Sequence, residues 1–102
     1  MNASLDALLE ALRPYRPQRI ILFGSAARGD ADAASDFDLL VIKETQEPFV
    51  ARLEAMARLC PAGVRADILV YTPQEIEAML QEDNAFITEA LRDGKVVYEA
   101  ER

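Results

Sequence analysis

The sequence predicts a single α/β (α+β) domain with the element order α-β-α-β-α-β-α-β and a mixed β-sheet flanked by helices. Three observations predict it. Short apolar runs at 19–23, 36–42, 65–71 and 95–98 alternate with stretches of helical periodicity. Proline or glycine punctuates nearly every junction. The 102-residue length suits one domain covering the whole chain, 1–102, with no internal repeat or linker.

The elements follow in order. In LDALLEAL (5–12), Leu5, Leu8, Leu9 and Leu12 recur at helical spacing, and Ser4 is the expected N-cap. Pro14 and Pro17 end that helix. RIILF (19–23) reads as a strand buried on both faces, broken by Gly24-Ser25. One helical turn is expected over Ser25–Arg28, closed by Gly29, and then a loop over 30–35. DFDLLVI (36–42) is the second strand. Phe37, Leu39 and Val41 share one face; Asp36, Asp38, Leu40 and Ile42 share the other. Pro48 opens a second helix whose expected apolar stripe is Phe49, Leu53, Met56 and Cys60, with Val50 and Ala57 beside it. RADILVY (65–71) is the third strand, with Asp67, Leu69 and Tyr71 on one face. Thr72-Pro73-Gln74-Glu75 carries a capping box, and one helix is expected from there to Leu91. Asp93-Gly94 is the expected turn into KVVY (95–98), the closing strand.

Composition excludes several chemistries. With 18 acids against 11 bases, the net charge of -7 suits no cationic nucleic-acid track, so processive travel along DNA or RNA is not expected. A chain with no histidine cannot run a Ser-His-Asp hydrolase, and one cysteine, Cys60, makes neither an intramolecular disulfide nor a thiolate cluster. No run approaches the ~20 apolar residues of a membrane span. The opening residues carry neither a basic region nor a signal core, so a cytoplasmic location is the expectation.

Most of the acids read as solvated surface. Asp36, Asp38 and Asp67 differ, because they stand in strand-like segments where acids are disfavoured. Asp36 and Asp38 project from one face. The eleven residues between Gly24 and Asp36 are short for a crossover helix, so an antiparallel return is expected, bringing Asp36 back to the Gly24-Ser25 end. If the third strand neighbours the second, Asp67 lies about 4.8 Å from that row. Three carboxylates so close repel one another or hold a cation. Hard oxygen donors point to Mg²⁺, with Mn²⁺ the alternative, and two ions ~3.5–4 Å apart are a device for in-line phosphoryl displacement. Gly24 permits a close ligand approach, Ser25 can donate to a phosphate oxygen, and Arg28 can add a charged bond. The spacing is not that of a P-loop. Taken singly, Asp-x-Asp is more often a solvated sheet edge, and Gly-Ser an ordinary cap; the agreement of the parts gives the site its weight.

Residues 24–41, GSAARGDADAASDFDLLV, closely resemble the G-S-x-x-R-G-(x)n-S-D-x-D-L-x-V signature of the nucleotidyltransferase superfamily that includes the polymerase beta palm. The small size resembles its minimal (MNT-type) branch, many of whose members are antitoxins paired with HEPN-domain toxins. The resemblance implies the nucleotidyltransferase fold. It implies nucleotide-binding roles for Gly24, Ser25, Arg28 and Gly29, and catalytic, metal-ligating roles for Asp36, Asp38 and Asp67. It further implies ATP as donor, two Mg²⁺ ions, and transfer of AMP to a tyrosine of a partner toxin. The sequence offers no second domain for the acceptor, so another chain, in a hetero- or homo-oligomer, is expected to present it; transfer to a small molecule such as an aminoglycoside is the alternative. An antitoxin that neutralises its partner by binding alone is the non-enzymatic alternative.

Overall fold

The computed structural model describes residues 3–24 and 36–100. Helix α1 (Ala3–Leu12) runs into a 3₁₀ turn (Arg13–Tyr15), followed by β1 (Arg19–Phe23), β2 (Phe37–Ile42), α2 (Phe49–Leu59), β3 (Ala66–Tyr71), α3 (Pro73–Gln81), α4 (Ala85–Asp93) and β4 (Lys95–Glu99). The helical turn expected over Ser25–Arg28 and the loop 30–35 lie outside the described residues.

The four strands form one sheet in the order β3-β2-β1-β4. β1 pairs antiparallel with β2 and with β4, and β2 pairs parallel with β3, so the sheet is mixed. The alternation read from DFDLLVI sorts the core into two layers. Leu39 and Val41 join Leu8 and Leu12 of α1, Met56 of α2, Ile20 and Val70 on one face. Leu40 joins Ile21, Ile76 of α3, and Ile87 and Ala90 of α4 on the other. Fully burying each such aliphatic side chain contributes about 1.5–3 kcal/mol. Ile42 and Tyr71, on the face that carries the acids, pack against this second layer. The chain's own helices cover them.

Three expectations need correction. Ser4 lies inside α1, one residue past its start, not at its cap. The helix expected from Pro73 to Leu91 is two helices. Asp83 takes a left-handed φ of 56°, and Asn84 Oδ1 accepts from Ile87 N at 3.0 Å to start α4. The stripe expected on α2 is rotated. Met56 is buried, but so is Arg52, while Phe49 and Val50 are 36% and 67% exposed and Ala57 is also exposed.

Arg52 explains the rotation. Its Nη1 donates to Val70 O at 3.1 Å and to Glu75 Oε1 at 2.7 Å, and its Nε donates to Glu47 O at 2.9 Å. The same Glu75 closes the expected capping box, accepting from Thr72 N at 2.8 Å while Thr72 Oγ1 accepts from Glu75 N at 3.1 Å. One guanidinium thus ties α2 to the end of β3 and the start of α3. At the far end, Gly94 caps α4 where a Cβ would stand 2.4 Å from Ala90 O and 2.6 Å from Ile21 Cγ2. That close approach lets α4 turn straight into β4.

Candidate active site

The register decides which acids meet. β1 runs antiparallel to β2 with Phe23 opposite Asp38, so the end of β1 and the start of β2 share one edge of the sheet. β3 runs parallel to β2 with Asp38 opposite Asp67. Adjacent strands are about 4.8 Å apart, and side chains level in register project to the same face. Asp38 and Asp67 are therefore neighbours, on the face covered further along by α3 and α4.

Gly24 follows β1 and lies against Asp38. Its φ is +75°, and a Cβ there would stand 2.5 Å from Asp38 Oδ2. Both facts require glycine: the left-handed backbone disfavours a side chain, and the carboxylate occupies its space. Asp38 is half-buried, and its carboxyl is pushed above the ordinary 3.8, first by burial, then by repulsion from Asp67 and Asp36.

Asp36 stands just before β2. Phe37 is level with Ala66, which places Asp36 level with Arg65, and Arg65 Nε lies 2.9 Å from Asp36 Oδ1. The approach angle misses hydrogen-bond geometry, so this buried oxygen is otherwise unsatisfied. The Arg65 side chain is 73% exposed, and such a pair holds by no more than about 1 kcal/mol. Sequence reading missed Arg65. Its pairing with Asp36 depends on the register of β2 with β3, which no local pattern in the sequence gives.

Among the described residues, no three His, Cys, Asp or Glu side chains form a ready-made metal cage. The donor chemistry nevertheless fits a hard divalent cation. Asp38 and Asp67 are adjacent carboxylates whose repulsion a cation would relieve, and Asp36 carries a buried oxygen lacking a hydrogen bond. Asp36 can turn from Arg65 at small cost. Of the expected phosphate-binding residues, Gly24 is placed beside Asp38; Ser25, Arg28 and Gly29 lie outside the described residues.

A cleft of about 460 Å³ opens beside the acid pair, with Asp38 and Asp67 in its wall together with Phe23, Phe86, Leu53 and Cys60. Phe23 and Phe86 meet edge to face, ring centroids 5.4 Å apart. Neither Phe86 nor Cys60 stood out as a site residue in sequence. Cys60 extends the α2 stripe past the helix end, and its Sγ donates to Val64 O at 3.4 Å.

Comparison with known proteins places this architecture. Three solved structures are similar to it. One is a crystal structure of a toxin–antitoxin with AMP-PNP, at 21% identity and a TM-score of 0.66, covering 98% of this chain and 76% of that one. Another, described as a minimal nucleotidyltransferase, is 30% identical with a TM-score of 0.55 over 88% of this chain and 85% of its own. A third, from Sulfolobus solfataricus and also described as a nucleotidyltransferase, is 16% identical with a TM-score of 0.53 over 100% and 92%. No curated protein matches the sequence. The family described as "Polymerase beta, Nucleotidyltransferase" matches residues 7–102, a span that holds every strand of the sheet and all three acids. The chain belongs to the polymerase beta nucleotidyltransferase family.

Proposed function

We propose that the protein transfers AMP from ATP to a hydroxyl of a partner protein, a tyrosine of a HEPN-type toxin, and so acts as its antitoxin. The observation that carries this reading is the level pairing of Asp38 with Asp67, with the Gly24 backbone against Asp38. Bound Mg²⁺, held by Asp38 and Asp67 and joined by Asp36, would neutralise the charge of the triphosphate. Gly24 leaves room at Asp38 for the nucleotide phosphates, and Ser25 and Arg28 are the residues proposed to bind them. Asp67 lies on the exposed edge strand, where an arriving hydroxyl can reach it. In the transfer, the hydroxyl oxygen bonds to the α-phosphorus and the bond to pyrophosphate breaks. The hydroxyl proton passes to Asp67 or to water, which leaves an AMP ester and free pyrophosphate.

Incubation with α-labelled ATP, Mg²⁺ and the protein encoded beside this one tests the reading. Label is expected on a tyrosine of that partner, and Asp38→Asn is expected to reduce it at least 100-fold. Mg·ATP binding without transfer of label would overturn it. Full neutralisation of the partner by an Asp36→Asn, Asp38→Asn double variant would instead mark an antitoxin that works by binding.

A further inference from the structure

We propose that the outer edge of β3 beside Asp67 is an acceptor track, which takes an extended, hydroxyl-bearing segment of the partner protein as an added strand. The inference rests on the reading of the chain as a nucleotidyltransferase acting on a protein, and it deepens that reading.

The ladder defines the track. Phe37 N donates to Arg65 O at 3.0 Å and Lys43 N to Tyr71 O at 3.1 Å. In a parallel pair, alternate residues spend both main-chain groups on one neighbour. Arg65, Asp67, Leu69 and Tyr71 therefore turn theirs to β2, and Ala66, Ile68 and Val70 turn theirs outward. Among the described residues, no strand pairs with that outer side. One outward group is already taken, because Arg52 Nη1 holds Val70 O at 3.1 Å. Arg52 closes the edge at Val70, and the open stretch is Ala66–Ile68, which brackets Asp67.

The open stretch adjoins the 460 Å³ cleft. On one face of the sheet the cleft is walled by Leu53, Ala57 and Cys60; on the other it reaches Phe23, Phe86 and the acid pair. A strand laid along Ala66–Ile68 would alternate its side chains between those two walls. Residues facing α2 meet apolar surface. The residue between them is delivered to the face of Asp38 and Asp67. A tyrosine, serine or threonine at that position would present its hydroxyl to the acids, with apolar residues on either side.

Charge selects the occupant. Three acids, one of them paired with the exposed Arg65, stand at this end of a chain whose net charge is -7. A second copy paired edge to edge would bring the same acids against themselves, and a nucleic-acid strand would bring phosphates. A neutral or basic polypeptide segment is the complementary partner.

The test is selection of a displayed library of random decapeptides on the full chain, without ATP. Enriched peptides are expected to alternate apolar with hydroxyl-bearing residues and to carry basic ends. Ala66→Pro removes an outward N–H at the first residue of an edge strand, a position that tolerates proline. Ala57→Arg fills the cleft from an exposed helical position and leaves the backbone alone, so it keeps the test sound should Ala66→Pro fold poorly. Each variant is expected to weaken the selected peptides at least tenfold. Failure of any peptide to enrich, or equal binding to wild type and Ala57→Arg, overturns the track even if Mg·ATP binds. Peptides that obey the pattern on a protein that fails to bind Mg·ATP would leave the track standing and remove the transfer reading.

Discussion

A methyl group at Gly24 would meet Asp38 Oδ2 at 2.5 Å on a backbone that is already left-handed. The conformation alone costs a substituted residue roughly 1–2 kcal/mol. Gly24→Ala is therefore expected to lower the midpoint of thermal unfolding and to displace the Asp38 carboxylate, weakening Mg·ATP binding by more than the lost stability accounts for. Isothermal titration of Mg·ATP on the folded variant checks this. Asp38 itself carries a pH signature. Its folded pKa stands above the ordinary 3.8, so between the two values the native state holds a proton that the unfolded chain has released. Metal-free stability should then fall as pH rises through that window and stay lower above it. Asp38→Asn removes this contribution, which denaturation in EDTA from pH 3.5 to pH 7 would show as a flatter profile. The alternation of Asp36 and Asp38 was legible in sequence because a strand has period two. The approach of Gly24 to Asp38 was legible only as an end-of-sheet expectation, because contact depends on a register that no local pattern prints.

At the level of elements, the antiparallel return from β1 to β2 could be read from eleven intervening residues, and the capping box from Thr72 and Glu75. The break between α3 and α4 could not. Gln81–Asn84 holds neither glycine nor proline, and the turn is made by Asp83 in a left-handed conformation and by the Asn84 side chain. The face of α2 was misread for a different reason. Counting apolar positions turns Arg52 outward, whereas its hydrogen bonds to Val70 O, Glu47 O and Glu75 allow it to be buried at 5% exposure. Replacing Arg52 with Met keeps the bulk but strands a buried carbonyl and frees Glu75. A loss of about 2 kcal/mol is expected in chemical denaturation, lessened because Glu75 reaches water. The Arg52 hydrogen bond holds the Glu75 carboxyl below its ordinary 4.5. The stability from that pair is therefore present above the unfolded value and lost as pH falls through the folded one. Arg52→Met should lose less stability than wild type on acidification.

For the molecule as a whole, 18 acids against 11 bases leave a negative field that a bound cation would offset. The fold places two of those acids level on neighbouring strands and a third one step away. None of the three is needed for the core, which lies further along the sheet in Leu39, Leu40, Val41 and Val70. An arrangement that keeps repelling carboxylates together at no benefit to packing lowers stability, as a site built to take up a cation would. A definite outcome follows for the Asp38→Asn, Asp67→Asn double variant. In EDTA it should unfold at a higher temperature than wild type, because the repulsion is gone. In wild type, Mg²⁺ at ten times its dissociation constant should add about 1.4 kcal/mol by mass action. Sodium chloride at matched ionic strength should add less, since screening reaches the half-buried Asp38 poorly. The double variant should show only the sodium response. If Mg²⁺ raised the midpoints of both proteins equally, the ion would be acting on the overall negative surface, and the paired carboxylates would have lost their claim to bind it.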